Sequence, residues 1–351
     1  MNLKQFGETG NKRTKYMNAP IIFCHYGASP YLPYVLKCAK LSNPDKRIIL
    51  LGDERNKELV EECGVEHRFF EDFNNGEKIE TFDRVYRLIQ GKDHAHFKGG
   101  RDWVNFVFKR WFFVFNFVRQ EGVESFWHFD SDTMILDRLD HHEAKFKGYD
   151  CTEQCQGICM NGYISGPDVV RGYLDKINTI FQREEYLKSQ QEEFDKIHPL
   201  YAFTEMRAYE IYKTEERLKT IRLSTIIDRA TFDDCIIDED DRVMESLPYG
   251  RKVKKVYLCP DGRFYCCEKG TSLLVRMNSL NLSCVPVYIF EGVLSHQQVF
   301  VQSKTRIDPD LNRMKTLANL GAPLKVMVRT RVKRIAQRIG FIPQWAKKYN
   351  F

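Results

Sequence analysis

The residues of this chain best suited to chemistry are two aspartates, Asp130 and Asp132, separated only by Ser131. An apolar and aromatic run, residues 126–129, precedes them, and a second apolar run follows them. If the first run is a buried strand, both carboxylates lie where that strand ends, at the mouth of the sheet. Two hard oxygen ligands so placed suit a divalent cation that also holds phosphate oxygens. Two buried carboxylates without a cation would be costly, so the sequence predicts a metal site here.

The segments before the aspartates alternate between apolar strands and helices. Residues 19–26 and 47–51 are continuous apolar runs that stop at glycine, and each is followed by a segment with helical character. Residues 65–70 are a candidate third strand. Strand and helix in alternation indicate a parallel sheet, and the absence of polar alternation in the strands indicates that helices cover both of its faces. The predicted fold class is therefore α/β.

Further elements are predicted after the third strand. Residues 103–119 are apolar nearly all round, which is typical of a helix buried beside the sheet. Residues 159–165 are a further candidate strand, and residues 169–183 are amphipathic. Short antiparallel strands at an edge are predicted within residues 253–276.

The order of these segments resembles that of nucleotide-sugar glycosyltransferases of the GT-A fold that carry a D-x-D motif. The resemblance covers residues 19 to about 300 and is carried by the stretches IIFCHYGASPYLPYVLKCAK, RIILLGD, KRWFFVFNFVRQEGVESFWHFDSDTMIL and MNGYISG. It implies a GT-A-like (Rossmann-like), mixed and mostly parallel sheet flanked by helices. It also implies Mn²⁺ or Mg²⁺ on Asp130 and Asp132, with Asp130 shared between the metal and a ribose and with Ser131 among the residues that bind the donor. That cation would hold the diphosphate of a UDP- or GDP-sugar and neutralise the charge that develops on the leaving group.

The same resemblance suggests contacts to the donor nucleotide at the ends of the first two strands. His25, Tyr26 and Gly27 resemble the loop that receives the base and ribose, and Asp53 resembles a base or ribose contact. The alternative is ordinary loop polarity.

Three residues later in the chain resemble the part of the pocket that holds the donor sugar and the acceptor. Asn161 and Gly162 lie in the MNGYISG stretch. Glu205 resembles an acidic residue at the start of a helix facing that pocket, where it would act as a general base in an inverting reaction. Its alternative is an acid stabilised by the helix dipole.

His296 is a candidate third metal ligand. Many such enzymes carry a late His-Phe-Gln-Gly segment whose histidine binds the metal, whereas residues 296–299 here read HQQV, without the Phe and Gly. A plain surface histidine is the competing interpretation.

Lys109 and Arg110 interrupt the apolar helix predicted over residues 103–119. Buried cations are costly unless they reach solvent or bind an anion. A role on the diphosphate is predicted, for Arg110 rather than Lys109, and a solvated helix edge is the alternative.

The basic character of the chain is concentrated in its last fifty residues. The chain of 351 residues carries a net charge of +6, but residues 301–351 hold twelve Lys or Arg and two acids, so the remainder is mildly acidic. Apolar residues recur at helical spacing over residues 324–342, which predicts a basic amphipathic helix. Residues 324–351 are predicted to bind an anionic membrane surface, with packing on the domain as a close alternative. An acidic body argues against a nucleic-acid partner.

Three regions follow from these observations: a polar N-terminal tail over residues 1–18, a GT-A-like domain over residues 19–300, and a basic helical appendage over residues 301–351. The N-terminus lacks the apolar core of a secretory signal. Eleven scattered cysteines then fit reduced thiols in the cytoplasm. Cys151, Cys155 and Cys159 have a spacing unlike that of zinc or iron–sulfur sites, so buried thiols are the preferred interpretation and a structural metal the alternative.

The function predicted from these features is a metal-dependent glycosyltransferase in the cytoplasm, with peripheral association at the inner membrane face as an extension. It would move a sugar from a nucleotide diphosphate donor to a hydroxyl of a glycan or lipid-linked acceptor, in glycan or surface-polysaccharide synthesis. One alternative is a metal-dependent nucleotidyltransferase, which would be expected to have a Gly- and Lys/Arg-rich loop where this chain has HYGASP. The other is a non-catalytic domain recruited to membranes by its tail.

Overall fold

A seven-stranded, mostly parallel sheet forms the centre of the fold in the computed structural model. The structure describes residues 19–94, 100–248, 250–271, 273–302 and 314–320. In chain order its strands are β1 (Ile21–His25), β2 (Ile48–Gly52), β3 (Glu66–Phe69), β4 (Phe126–Asp130), β5 (Thr133–Ile135), β6 (Cys151–Gln154), β7 (Cys159–Ile164), β8 (Thr220–Arg222), β9 (Ala230–Thr231), β10 (Met244–Ser246), β11 (Lys252–Lys254), β12 (Tyr257–Leu258), β13 (Phe264–Cys267), β14 (Leu274–Met277), β15 (Ser279–Asn281) and β16 (Lys315–Thr316).

The helices of the described residues flank this sheet. They are α1 (Leu32–Ser42), α2 (Lys57–Glu62), α3 (Glu77–Val85), α4 (Gly100–Gln120), α5 (Asp140–Phe146), α6 (Pro167–Phe181), α7 (Glu184–Lys196), α8 (Glu205–Glu216) and α9 (Val287–Gln302). None of the helices in these ranges has both the length and the apolar character needed to span a bilayer.

The large sheet has the strand order β3-β2-β1-β4-β7-β6-β8. Strands β3, β2, β1 and β4 run parallel, β7 is antiparallel to β4, and β6 is antiparallel to β7. Strand β8 returns parallel to β6. The α/β fold class, with a mixed and mostly parallel sheet flanked by helices, is therefore confirmed.

Alternate residues of the central strands enter two separate cores, one on each face of the sheet. Ile21 and Phe23 of β1 lie in the core shared with α1, α2 and α9, whereas Ile22 and Cys24 lie in the core shared with α3, α4 and α6. Successive side chains of a strand point to opposite faces, so a strand buried on both faces shows no polar alternation. This is the physical reason for the continuous apolar runs in the sequence.

A second, five-stranded sheet with the order β16-β12-β13-β14-β9 packs into the first of these cores. Strand β15 pairs with β5, directly after the aspartates, and β10 pairs with β11. Strand β16, residues 315–316, pairs with β12 of this sheet. The domain boundary at residue 300 and the appendage over residues 301–351 stay predictions; the basic stretch over residues 324–351, like the tail over residues 1–18, lies outside the described residues.

Gly162 lies inside β7, at a position that only glycine fits. Its φ is +91°, and a Cβ there would lie 2.3 Å from Thr152 Oγ1 and 2.6 Å from Leu223 Cδ1. Both the backbone conformation and the lack of space exclude a side chain. Gly162 therefore has a packing role in the sheet, beside His128 of β4.

We expect Gly162→Ala to lower the free energy of unfolding by about 2–4 kcal/mol, since it adds backbone strain and overpacking together. Gly64→Ala is the matched control, because Gly64 also has a positive φ of +64° but has no heavy atom within 4 Å of the added methyl. That variant should lose only about 1 kcal/mol. Urea denaturation of both variants measures the difference, and equal losses would contradict the packing role of Gly162.

Candidate active site

The site lies at the carboxyl edge of the sheet, between β1 and β4. The chain leaves β1 toward β2 on one side and later adds β4 on the other side, so the strand order reverses at β1. A crevice forms at such a reversal, and open α/β sheets bind their ligands there. The loops after the two strands meet directly, because His25 Nδ1 and Ser131 Oγ share a hydrogen bond of 2.7 Å.

Asp130 is the last residue of β4, and both of its carboxylate oxygens have partners. Arg110 Nη1 donates to Oδ1 at 2.5 Å, and Asn161 Nδ2 donates to Oδ2 at 3.0 Å. Burial by itself would raise the pKa of Asp130, but the charge and hydrogen bond of Arg110 outweigh it and hold the pKa below its usual value. Asp130 is thus a carboxylate that stays charged.

Asp132 is held differently. Its Oδ1 is shielded from solvent and has no hydrogen-bond partner within the part of the chain that the structure describes. Burial, followed by the charge of Asp130, raises the pKa of Asp132 to about 7. A cation bound to Asp132 would favour its charged form and so offset both causes of this shift.

Asp130 and Asp132 are hard oxygen donors of the kind that divalent cations bind, and a cation held by them stays a prediction. Among the described residues, no group of three or more His, Cys, Asp or Glu side chains has an arrangement that could hold a metal ion. Magnesium-type sites commonly use one or two carboxylates together with substrate phosphates and water. The unpaired Oδ1 of Asp132 supplies the free donor atom that such a site requires.

Glu205 begins α8 and faces the same cluster of charges. Its side chain is buried, Arg110 Nη2 donates to its Oε1 at 2.8 Å, and its Oε2 has no partner. Burial raises the pKa of Glu205 to about 7, and the charge of Asp130 adds to that effect. A carboxyl group with a pKa near neutrality is suited to proton transfer.

Arg110 and Lys109 have separate positions despite being neighbours. Arg110 is buried and joins Asp130 to Glu205, so its terminal nitrogens contact carboxylates of the site. Lys109 turns away and pairs with Asp83 at 2.8 Å on the surface. The structure brings Arg110 to the site; a contact between Arg110 and a diphosphate stays a prediction.

The residues at the end of β1 divide into a buried one and an exposed one. His25 is only 6% exposed, its Nε2 has no partner, and burial lowers its pKa to about 4, so it is neutral. Tyr26 is 53% exposed, with the Arg55 guanidinium 4.9 Å from its ring centre and the Phe106 ring at 5.4 Å. Tyr26 therefore offers an open aromatic face beside the site.

Gly27 and Asp53 fix the loop between these residues. Gly27 has a φ of +82°, its N–H donates to Asp53 Oδ2 at 2.8 Å, and its carbonyl accepts from Asn56 Nδ2 at 2.8 Å. Asp53 also pairs with Arg55 at 2.5 Å. Both oxygens of Asp53 are thus engaged within the protein, and its predicted contact to a base or ribose stays a prediction.

Asn161 and His296 were both predicted to belong to the site, and their contacts differ. Asn161 is fully buried, and its Nδ2 donates a hydrogen bond to Asp130 Oδ2 at 3.0 Å. His296 lies on α9, and its ring meets the Phe264 ring of β13 edge-on, with ring centres 5.0 Å apart. Its role as a third metal ligand stays a prediction.

The eleven cysteines, all within the described residues, are free thiols. The thiol of Cys151 contacts the Tyr209 hydroxyl at 3.3 Å, whereas that of Cys159 accepts a hydrogen bond from Asn161 at 3.3 Å. The three cysteines at positions 151, 155 and 159 do not form a metal-binding group.

Sequence reasoning missed two residues that contact the aspartate loop. The charge of Asp132 raises the pKa of the Tyr31 phenol, and the Ser283 side chain lowers the pKa of Asp132, so both residues lie beside this loop. Ser283 follows β15 and is more than 150 residues away in the chain, so local spacing could not have indicated it. Tyr31 stands at the start of α1 in a stretch without any chemical pattern.

No family model and no curated protein matches this chain. Among solved structures, a cytidylyltransferase from Leptospira borgpetersenii is 12% identical, with a TM-score of 0.31 over 59% of this chain and 75% of that one. The PaToxG glycosyltransferase is also 12% identical, with a TM-score of 0.34 over 57% of this chain and 69% of that one. At these TM-scores neither likeness indicates what this chain does.

We expect Asp132→Asn to raise the melting temperature of the metal-free protein at pH 8. The folded-state pKa of Asp132 lies above its unfolded value, so the free energy of unfolding falls as the pH rises from about 4 to about 7. The asparagine carries no charge, so the variant does not lose this free energy of unfolding. Its melting temperature should rise by roughly 2 °C for each kcal/mol that is retained. Differential scanning fluorimetry at pH 8 and pH 4 measures the effect, which should vanish at pH 4.

Asp72→Asn is the control, since Asp72 is exposed, and it should leave the melting temperature unchanged. A lower melting temperature of Asp132→Asn at pH 8 would show that the charged carboxylate is stabilised by contacts other than those described.

Proposed function

We propose that this protein is a metal-dependent glycosyltransferase that moves a sugar from a nucleotide diphosphate donor to an acceptor hydroxyl. The observation that carries the proposal is the shielded Oδ1 of Asp132, which has no partner among the described residues and lies two residues from Asp130, at the point where the strand order reverses. A buried carboxylate without a partner is costly, and a bound cation offsets that cost. A site with only two protein ligands leaves positions open for a diphosphate.

In this proposal Asp132 and Asp130 hold Mn²⁺ or Mg²⁺, which when bound neutralises charge on the diphosphate leaving group. Asp132 provides the free oxygen, whereas Asp130 is oriented by Arg110 and Asn161. Two fixed donors on Asp130 limit its movement, so little reorganisation is needed when a ligand binds.

The nucleotide of a UDP- or GDP-sugar would lie over the loop after β1. The exposed ring of Tyr26, backed by Arg55, presents a flat face on which a base can stack. The buried, unpaired Nε2 of His25 is available to a polar group of the donor. Gly27 keeps this loop close to Asp53, which shapes the floor on which the base would lie.

Glu205 is the proposed general base for the acceptor hydroxyl. Arg110 engages one of its oxygens and leaves the other free to accept a proton. A pKa near 7 makes the carboxylate both available and basic enough at neutral pH. The acceptor class, a glycan or a lipid-linked sugar, and membrane association through residues 324–351 belong to the same proposal and rest on the sequence of the tail.

The deciding experiment is a thermal-shift panel of UDP-sugars, GDP-sugars and nucleoside triphosphates, each with and without Mn²⁺. A ligand that binds the folded state raises its melting temperature, by an amount that grows with ligand concentration over Kd. We expect a nucleotide-sugar to stabilise the protein only with Mn²⁺, and Asp132→Ala to abolish that shift while Asp72→Ala keeps it.

Three results would contradict the proposal. An undiminished nucleotide-sugar shift without Mn²⁺ would remove the metal role. A shift with nucleoside triphosphates alone would identify a nucleotidyltransferase instead, if the triphosphate also releases pyrophosphate when a sugar phosphate is added. An absence of any shift across the panel would favour a non-catalytic domain.

We expect Glu205→Gln to reduce kcat by about 10²–10⁴-fold while the donor still binds, because the glutamine keeps an oxygen for Arg110 but cannot take a proton. In the wild-type protein the rate should rise with pH through about 7, since a general base must be deprotonated and burial raises the pKa of Glu205 to that value. Initial rates between pH 5.5 and pH 9 measure both effects. A variant with wild-type kcat would exclude Glu205 as the base.

A further inference from the structure

We propose that Asp233 is a positioning residue for the proposed metal site, and that it acts through Asn281 on the place of Asp132. This inference rests on the metal-dependent function proposed above and deepens it by assigning an outer contact to that site. Asp233 follows β9 and is far from Asp132 in the chain. The two residues are joined through β15, which pairs with β5 directly after Asp132.

Asp233 is 1% exposed, and each of its polar groups is engaged. Its Oδ1 accepts from Lys254 Nζ at 2.7 Å, and its Oδ2 accepts from Asn281 N at 3.0 Å. Its backbone N–H donates to Ser279 Oγ at 3.2 Å, and its carbonyl accepts from Gln154 Nε2 at 2.7 Å. Two of these contacts go to the first and last residues of β15, so Asp233 fixes that strand at both ends.

Asn281 connects Asp233 to the backbone of Asp132. Its N–H is bonded to Asp233, and its carbonyl accepts from Ile236 N at 2.9 Å, so both of its backbone groups meet the segment that begins at Asp233. The next residue, Leu282, donates its N–H to the Asp132 carbonyl at 3.0 Å. The Asp132 backbone is thus tied to Asp233 through two consecutive residues at the end of β15.

The Asp233 carboxylate is suited to this task because it accepts from two donors in fixed directions. Lys254 is also 1% exposed, and its ammonium group holds Oδ1 while Oδ2 faces Asn281 N. A buried ion pair adds little net stability, because desolvation costs about as much as the attraction contributes. It does fix an orientation, since turning the carboxylate away would leave a buried charge without a partner.

Asp132 depends on indirect support because nothing holds its free oxygen directly. Asp130 is held by Arg110 and Asn161, whereas Asp132 Oδ1 has no partner among the described residues. The place of that oxygen is then set by the backbone of Asp132, which Leu282 fixes. A shift of β15 would therefore move the Asp132 carboxylate relative to Asp130.

We expect Asp233→Asn to raise the Kd for Mn²⁺ alone by about tenfold or more, because contacts that orient a metal ligand account for about 10–100-fold in affinity. An asparagine has one oxygen for two donors, so either Lys254 or Asn281 loses its acceptor. Calorimetric titration of the full chain with MnCl₂ measures the Kd, and the melting temperature without metal is recorded beside it.

Glu143→Gln is the matched control. Glu143 also pairs with a buried lysine, since its Oε1 lies 2.5 Å from Lys46 Nζ, but that lysine is bonded to the Ala19 carbonyl before β1, at the opposite edge of the sheet. The variant should lower the melting temperature, as Asp233→Asn does, and leave the Kd for Mn²⁺ unchanged. A loss of affinity confined to Asp233→Asn distinguishes positioning from a general loss of stability.

A second pair of variants avoids a buried lysine without a partner. Lys254→Met keeps Asp233 as the acceptor for Asn281 N, whereas Asp233→Leu combined with Lys254→Met removes it and replaces the ion pair with apolar side chains, which protein interiors often tolerate. We expect the double variant to bind Mn²⁺ about tenfold more weakly than Lys254→Met. That difference reports the contact between Asp233 and Asn281.

The outcomes separate this inference from the proposed function. A wild-type protein that does not bind Mn²⁺ would overturn both. Mn²⁺ binding by the wild-type protein with an unchanged Kd in Asp233→Asn, or an equal loss of affinity in Glu143→Gln, would overturn the positioning role alone. If Asp233→Asn does not fold, equal affinities of Lys254→Met and the double variant would overturn that role in the same way.

Discussion

The site depends on one buried cation, the guanidinium of Arg110. It lies between Asp130 and Glu205 and donates to both, with all three side chains largely removed from solvent. Burying a guanidinium or a carboxylate alone costs several kcal/mol, whereas a group hydrogen bonded to opposite charges is tolerated. Because α4, β4 and α8 each contribute one of these residues, the three elements have to pack as they do for any of the charges to be stable.

Because Arg110 does not contact the three carboxyl groups of the site equally, their pKa values differ. Asp130 receives a full hydrogen bond from Arg110 and a second from Asn161, so it keeps its charge. Asp132 and Glu205 are left with an unpaired oxygen each, and burial raises the pKa of both to about 7. Carboxyl groups whose surroundings drive their pKa values apart can carry different tasks within one pocket. The proposed division into a fixed ligand, a free ligand and a base follows from this asymmetry.

Much of the fold could be predicted from local sequence. Apolar runs predicted β1, β2 and β4, because a strand buried on both faces is apolar at every position. The apolar stretch over residues 103–119 likewise predicted α4. The short strand β5 and its partner β15 were missed, because three-residue strands leave no period to recognise. Strand β16 was missed as well, because its pairing with β12 depends on a partner over fifty residues away.

The sequence by itself determined that two aspartates end a buried strand at the edge of a parallel sheet, since strand burial and strand ends are local properties of composition and order. Only the tertiary structure decided what those aspartates contact. The reach of Arg110 across to Asp130 and Glu205, the placement of His25 against Ser131, and the packing of His296 against Phe264 depend on helix packing and loop closure. A residue's type states which bonds it can make, whereas its partner is set by how distant segments meet in space.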